Sequence, residues 1–469
     1  IAVGRGVVRA EVSADRKRLL VLSAGDIPRR KDKNERPSLT VIEGGAARRF
    51  SLESPHSGAS VDPLGRYVAL YAAPGGGAQT SFVENPNEIV IVDLQAPPEA
   101  AVTPRTLRSF GGRPQRVTFT PVLQLPGGPR RLLVVETDQD VALLDLDNVR
   151  ATPQRPEITV RLTSGASAVA LRPAAVVVDD GDPARSDDAR IGVRIADNPN
   201  VFTLTLVPSD PNAAPAEPNT VPNDFRPEVN LTDVGGAPGE ITFVRTEVGL
   251  RLAAVVPATR SAVLVDPTTS ITTNVDLPEP YSNISLITNV VGGAAGTDTA
   301  LLYGAGGSRG VAFWSLGRAT GQPYRSVEVV PLSVSSEKLH DVPPPRPELK
   351  VLQASGANQF FVLNLASRTA APLTTLAAPT LHVAPDGQRL WAFARASSEL
   401  AQVTLENLHP IPVPLDRPID AVYDVAREGG GRALVAVDAN GAGGATVLDA
   451  LAPDTTQSRS YYGLLLEDL

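Results

Sequence analysis

Short apolar runs recur along the whole chain, and clusters of Asp, Pro, Gly and Asn separate them. The stretch VAPDGQRLWAFA (383–394) shows the plan: a small apolar run, a Pro-Asp-Gly turn, then a strand-like run. Asp and Pro set the turn and Gly relaxes it. VSADRKRLLVLSA (12–24) and VDPLGRYVALYA (61–72) follow the same plan. Another run comes next, often ending on a Val-Asp type of signature: EIVIVDL (88–94), DVALLDL (140–146), SAVLVDP (261–267) and QFFVLNL (359–365), with SLTVIEG (38–44) and GVAFWSL (310–316) as looser copies. A last run closes each unit: RRFSL (48–52), TLRSF (106–110), EITVRL (157–162), TTNVDL (272–277), SVEVVPL (326–332), APLTTL (371–376) and PIPVPL (410–415). Runs this short, rich in β-branched residues and bounded by turn formers, predict strands. SSELAQVTLENLH (397–409) opens like a capping box, but the alternation through Val403 and Leu405 assigns it to a strand as well.

The repeating unit is therefore four short strands over roughly 40–60 residues, the period of a propeller blade. One such sheet leaves both faces uncovered, so the units must stack radially. They start near residues 7, 54, 113, 166, 237, 281, 336, 378 and 418, and unit four (166–236) is swollen by insertions. The expected fold is all-β: a single β-propeller domain over residues 1–469, of four-stranded antiparallel blades, eight or nine in number with nine the literal count. Even spacing and uniform composition set this against two or three sandwich domains. Closure is expected either from residues 1–8, as an outer strand of the last blade, or from YYGLLLEDL (461–469).

The Pro-Asp-Gly turn, the apolar strand and the following strand ending on Val-Asp resemble the blade signature of the YVTN/TolB-like, lactonase-like bacterial β-propeller superfamily. Units one, two and eight carry the turn most plainly. The resemblance implies the fold. Its members include surface-layer and adhesion modules, periplasmic partners of envelope machinery and sugar-lactone hydrolases. It therefore implies an extracytoplasmic setting and leaves binding and hydrolysis as rival functions.

Composition narrows this further. Aromatics are only 4% of residues, so the core is built from Val, Leu, Ala and Ile. The 43 Pro and 39 Gly are spread between the strands as turn punctuation. The net charge of −8 disfavours nucleic acid, which needs a basic face. No run reaches the ~18 uninterrupted apolar residues of a membrane-spanning helix. There is no Cys, hence no disulfide, thiolate nucleophile or Cys-type metal site. There is no Met either, so the expectation is that Ile1 is not a translational start and that any signal sequence has been removed.

In a propeller, the connections between strands 2 and 3 share one face with the links between blades. Units one and two both carry long 2–3 connections, GDIPRRKDKNERPS (25–38) and PGGGAQTSFVENPN (74–87), which should rise side by side. The first holds the one strongly basic run of an acidic chain, Arg29, Arg30, Lys31, Lys33 and Arg36; the second offers Phe82. Long loops on a rigid scaffold are where binding concentrates, so these six residues are the candidate binding set. The plainer alternative is a solvated excursion. Unit four carries DDGDPARSDDA (179–189) and PSDPNAAPAEPNTVPND (208–224) on the opposite face. The five aspartates of the first supply oxygens of the kind calcium takes, but their spacing is not that of an EF-hand, and Arg185 and Arg190 neutralise them. A solvated loop is the expectation, and no metal is assigned.

No catalytic residue is assigned either. GGSRG (306–310) matches the nucleophile-elbow pattern around Ser308, but it falls between two predicted strands and reads as a hairpin turn. His56, His340, His382 and His409 form no metal-binding pair in sequence. His382 sits in a first strand, within reach of a central channel. The expected function is a non-catalytic secreted or envelope propeller without cofactor. It binds a protein or glycan partner on the loop face of units one and two, or builds part of a surface assembly. The rival is a lactonase-like hydrolase or isomerase, for which His, Arg and carboxylates would have to converge at the channel.

Overall fold

The computed structural model describes the chain outside residues 1, 14–16, 27–34, 74–84, 109–111, 154, 164–168, 211, 213, 215–219, 288–297, 305–306, 320–321, 324–326, 355–358, 375–379, 427–430, 439–443, 454–457 and 463–469. The chain folds as a β-propeller. Seven antiparallel sheets of four strands follow one another, over residues 7–51, 58–106, 114–161, 173–233, 240–276, 283–331 and 336–374, and a seven-stranded sheet covers 380–462. Every four-stranded sheet keeps simple up-and-down order, so neighbours in sequence are neighbours in the sheet.

Burial within each sheet explains the sequence pattern. Middle strands are covered on both faces, which is why they read as unbroken apolar runs: all of Tyr67–Tyr71 and Leu132–Thr137 is buried. Last strands lie at the rim and alternate, so that in Thr272–Asp276 only Val275 is buried. First strands line the axis and stay half-exposed, as in Pro173–Asp179 and Thr380–Val383.

Cores form between sheets. Leu20, Leu39 and Phe50 of the first sheet pack on Val68, Leu70 and Val90 of the second. Clusters of the same kind join the second to the third, the third to the fourth, and so on to the eighth sheet. In the eighth sheet the 17-residue strand Pro410–Ala426 pairs with Ser397–Thr404 through its first half and with Arg432–Asp438 through its second. Register shifts interrupt both pairings, and the two halves of the sheet pack on each other around Trp391, Val413, Leu434 and Leu448.

One turn aspartate ties sheet to sheet. Asp62 accepts the amides of Leu64 (3.1 Å) and Arg66 (3.3 Å), closing the Asp-Pro-Leu-Gly turn. It also accepts Arg131 Nη1 of the next sheet at 2.7 Å, with both side chains buried. Gly65 adopts φ +70° there, a conformation glycine takes without strain.

Three details depart from the sequence expectations. A small hairpin, Leu123–Leu125 with Gly128–Arg130, interrupts the third sheet, and a one-turn helix, Pro98–Ala101, precedes the last strand of the second. Residues Val7–Val12 form the first strand of the first sheet and no outer strand of the last. The last sheet instead ends on its own Arg459–Tyr462, while residues 463–469 lie outside the described residues. The two terminal sheets thus exchange no strand among the described residues. Yet Val21 (6% exposed) and Thr40 (0%) of the first sheet are buried on the face turned away from the second. So are Ala433 (5%) and Ala445 (9%) on the free face of the last.

Candidate functional site

The connection Ala24 to Pro37 and the connection Ala72 to Asn87 leave the same end of two sheets that share one core. Arg29, Arg30, Lys31, Lys33 and Phe82 lie outside the described residues. Arg36 is described, and its guanidinium pairs with Glu53 at 2.7 Å, both side chains about half-exposed or more. Such a pair contributes little to stability.

The stem of the basic loop is built more firmly. Asp26 N donates to Glu35 O (3.1 Å), and Glu35 N donates to Asp26 Oδ2 (2.7 Å). Arg5 N donates to Glu35 Oε1 at 3.2 Å, and Arg49 also pairs with that carboxylate. Gly25 sits at φ +71°, where an added Cβ would stand 2.5 Å from Glu35 O. The neighbouring stem is closed by Asn85, whose Oδ1 accepts Asn87 N (3.1 Å) and whose Nδ2 donates to Thr106 Oγ1 (2.9 Å).

On the same face, the strand ends around the axis carry an alternating belt of charge that the repeat pattern did not single out. Arg116 lies opposite Glu136 across the first pair of the third sheet, and its Nη1 reaches the carbonyl of Ala174 in the fourth at 3.1 Å. Arg194 of the fourth sheet donates to Pro238 O (3.3 Å), at the entry to the fifth. Glu240 of the fifth accepts Ile284 N of the sixth at 2.8 Å. Three consecutive sheet boundaries are thus bridged by one charged side chain each.

Glu136 is the most confined member. It is 2% exposed, and its Oε1 has no hydrogen-bond partner. Burial pushes its carboxyl above the usual range, with Arg116 and Arg194 pulling the other way. Burial raises Glu240 too, against the Ile284 amide and Arg194. Arg194 is lowered, first by burial and then by the like charge of Arg116. The belt thus sets a buried carboxyl, raised by burial, among strand-end charges of both signs.

Ser308 lies between Thr299–Tyr303 and Gly310–Ser315, fully buried, with Oγ donating to Gly304 O at 2.6 Å. It is a turn residue with no strand-to-helix elbow. His56 is enclosed, its Nε2 3.6 Å from Glu88 Oε1, and burial lowers it to about 4, so it is neutral at neutral pH and the contact is no ion pair there. His340 Nε2 faces Gln353 Oε1 at 3.1 Å. His382 stands half-buried on a first strand, opposite Trp391. Among the described residues, no three His, Asp or Glu side chains converge to hold a metal ion. No helix among the described residues is long and apolar enough to cross a membrane.

No family model and no curated protein matches the chain. Among solved structures it is similar to a dihydro-heme d1 dehydrogenase, NirN, in complex with DHE, at 12% identity, covering 81% of this chain and 72% of that one, with a TM-score of 0.47. It is similar to virginiamycin B lyase from Staphylococcus aureus at 11% identity, covering 83% and 92%, with a TM-score of 0.34. AztD from Citrobacter koseri aligns at 11% identity over 86% and 96%, with a TM-score of 0.38. At these levels the assignment to the propeller fold rests on the sheet order and inter-sheet cores described above.

Proposed function

We propose that this protein is a non-catalytic propeller that binds a protein or glycan partner on the face bearing the 25–38 and 74–87 connections. It works outside the cytoplasm, secreted or held in the cell envelope, where a chain without Cys has no thiol to oxidise. Nine units close the ring, the free face of the first sheet packing on that of the last. The observation that carries the binding reading is the pinned stem of the basic loop, with Asp26 and Glu35 exchanging main-chain and side-chain hydrogen bonds. A fixed stem reduces the conformational freedom a loop loses on binding, which raises affinity without adding contacts. The clustered Arg and Lys select a partner with an acidic surface.

The test is binding of immobilised uronic-acid polysaccharides and of acidic proteins to the intact protein. It is compared with a variant carrying Arg29→Ala, Arg30→Ala, Lys31→Ala, Lys33→Ala and Arg36→Ala. The reading expects a loss of at least about tenfold and a flatter salt dependence. Equal binding by both proteins overturns it. A second reading, hydrolysis or isomerisation at the channel, is favoured by Glu136, a buried carboxyl facing two arginines. It requires turnover of a lactone panel that Glu136→Gln abolishes.

A further inference from the structure

On the opposite face, the connection from Asp179 to Arg190 in the fourth sheet and the turn from Thr246 to Gly249 in the fifth flank an open cavity of about 470 Å³. Asp179, Asp182 and Asp188 line it together with Arg190, Arg245 and Leu250. Among the described residues, no ion pair within 4.0 Å joins these three aspartates to the two arginines. Arg185, which is not part of the lining, approaches Asp188 Oδ2 at 3.9 Å, and Arg245 and Arg190 act on Asp179 from further off.

Two polar atoms of its lining residues are buried without a hydrogen-bond partner. Asp188 is 8% exposed; its Oδ2 accepts Asp182 N at 3.1 Å, whereas its Oδ1 is buried with no hydrogen-bond partner. Arg190 donates through Nη1 to Asp188 O at 2.9 Å, whereas its Nε is buried without a partner. A buried acceptor and a buried donor left open are each unfavourable unless a ligand completes them. Gly181 keeps this arrangement possible. It sits at φ +75°, and a Cβ there would stand 2.3 Å from Asp188 Oδ1.

We propose that this cavity binds a free basic α-amino acid, arginine or lysine. A bare anion meets three carboxylates here, and a bare cation meets two guanidiniums, so neither alone is well received. An α-carboxylate fits the arginine pair, which can take it through two parallel N–H donors. The α-ammonium and the side-chain cation then face the three aspartates. The volume falls within the range of small-molecule sites, and Leu250 offers apolar surface to the aliphatic stem. Burial holds the Asp179 carboxyl above its usual range, against the pull of the Gly181 amide and Arg245, and an arriving cation would favour its ionised form.

The experiment is isothermal titration of the intact protein with L-arginine, L-lysine, agmatine and L-leucine, up to on the order of 10 mM. L-arginine and L-lysine are expected to bind. Agmatine, which lacks the carboxylate, and L-leucine, which lacks the side-chain cation, should each bind at least about tenfold more weakly. Arg245→Gln should remove the preference for L-arginine over agmatine. Asp188→Asn should weaken L-arginine at least about tenfold while circular dichroism shows the fold retained. Absence of heat from L-arginine and L-lysine overturns the proposal. So does agmatine or L-leucine binding as tightly as L-arginine. The loop variant of the other face should leave this binding unchanged, so the two readings fail separately.

Discussion

Removing the Asp62 carboxylate should destabilise the protein more than its place in a turn suggests. The side chain is 1% exposed and accepts three hydrogen bonds: the Leu64 and Arg66 amides, and Arg131 Nη1 at 2.7 Å. Asp62→Ala leaves Arg131, itself 6% exposed, as a buried charge without this partner. Stranding one member of a buried ion pair costs about 3–5 kcal/mol. The two turn amides regain only weaker partners. Asp62→Asn keeps an acceptor for the turn and should cost less, about 1–3 kcal/mol. Glu228→Gln, in the Arg226–Glu228 pair with both side chains more than half-exposed, serves as the control and should cost under about 1 kcal/mol. Urea unfolding followed by far-ultraviolet circular dichroism reads all three. The decisive variant is Asp62→Ala with Arg131→Met, which removes the stranded charge and should recover part of the loss. If Asp62→Ala costs no more than the exposed control, the reasoning that this turn fastens the second sheet to the third is wrong.

Two further outcomes follow from buried polar groups. His56 is lowered from 6.5 to about 4 by burial, so the folded state resists its protonation. The resulting stability is complete above pH 6.5 and is lost as pH falls from 6.5 towards 4, worth roughly 3 kcal/mol in all. His56→Gln should flatten the urea midpoint across that window, and an unchanged pH profile contradicts the assignment. Ser308→Ala removes one buried hydrogen bond to Gly304 O and should cost about 1 kcal/mol. It should leave any ester or lactone hydrolysis intact, and loss of such activity would contradict the reading of Ser308 as a turn residue.

The strands were legible because their signals are local. Asp62 and Gly65, or Asp386 and Gly387, mark a turn within a few residues, and the flanking runs must be apolar where both sheet faces are covered. Even the irregular fourth sheet shows its four strands once the excursions at 180–189 and 209–224 are set aside. The axial belt was not legible for the opposite reason. Arg116, Arg194 and Glu240 come from three sheets, and each looks like an ordinary strand-end charge. What links them is their common position at one end of the inner strands, which an alignment of the repeats in register would have revealed. The cavity beside Asp188 was half-visible as an acidic run. Its arginine side depends on Arg245, brought there by the packing of the fifth sheet on the fourth.

The ring itself is the claim on which both faces depend, and the absence of native Cys makes it directly measurable. Spin labels placed at Leu19→Cys in the first sheet and Tyr423→Cys in the last sit at positions 37% and 46% exposed, on the two faces proposed to meet. Packed sheets lie about 10 Å apart, so with the label arms a pulsed electron-spin distance should be single, narrow and roughly 20 Å. A broad distribution, or a distance beyond about 30 Å, would mean that the two terminal sheets do not meet and that the units form an open array.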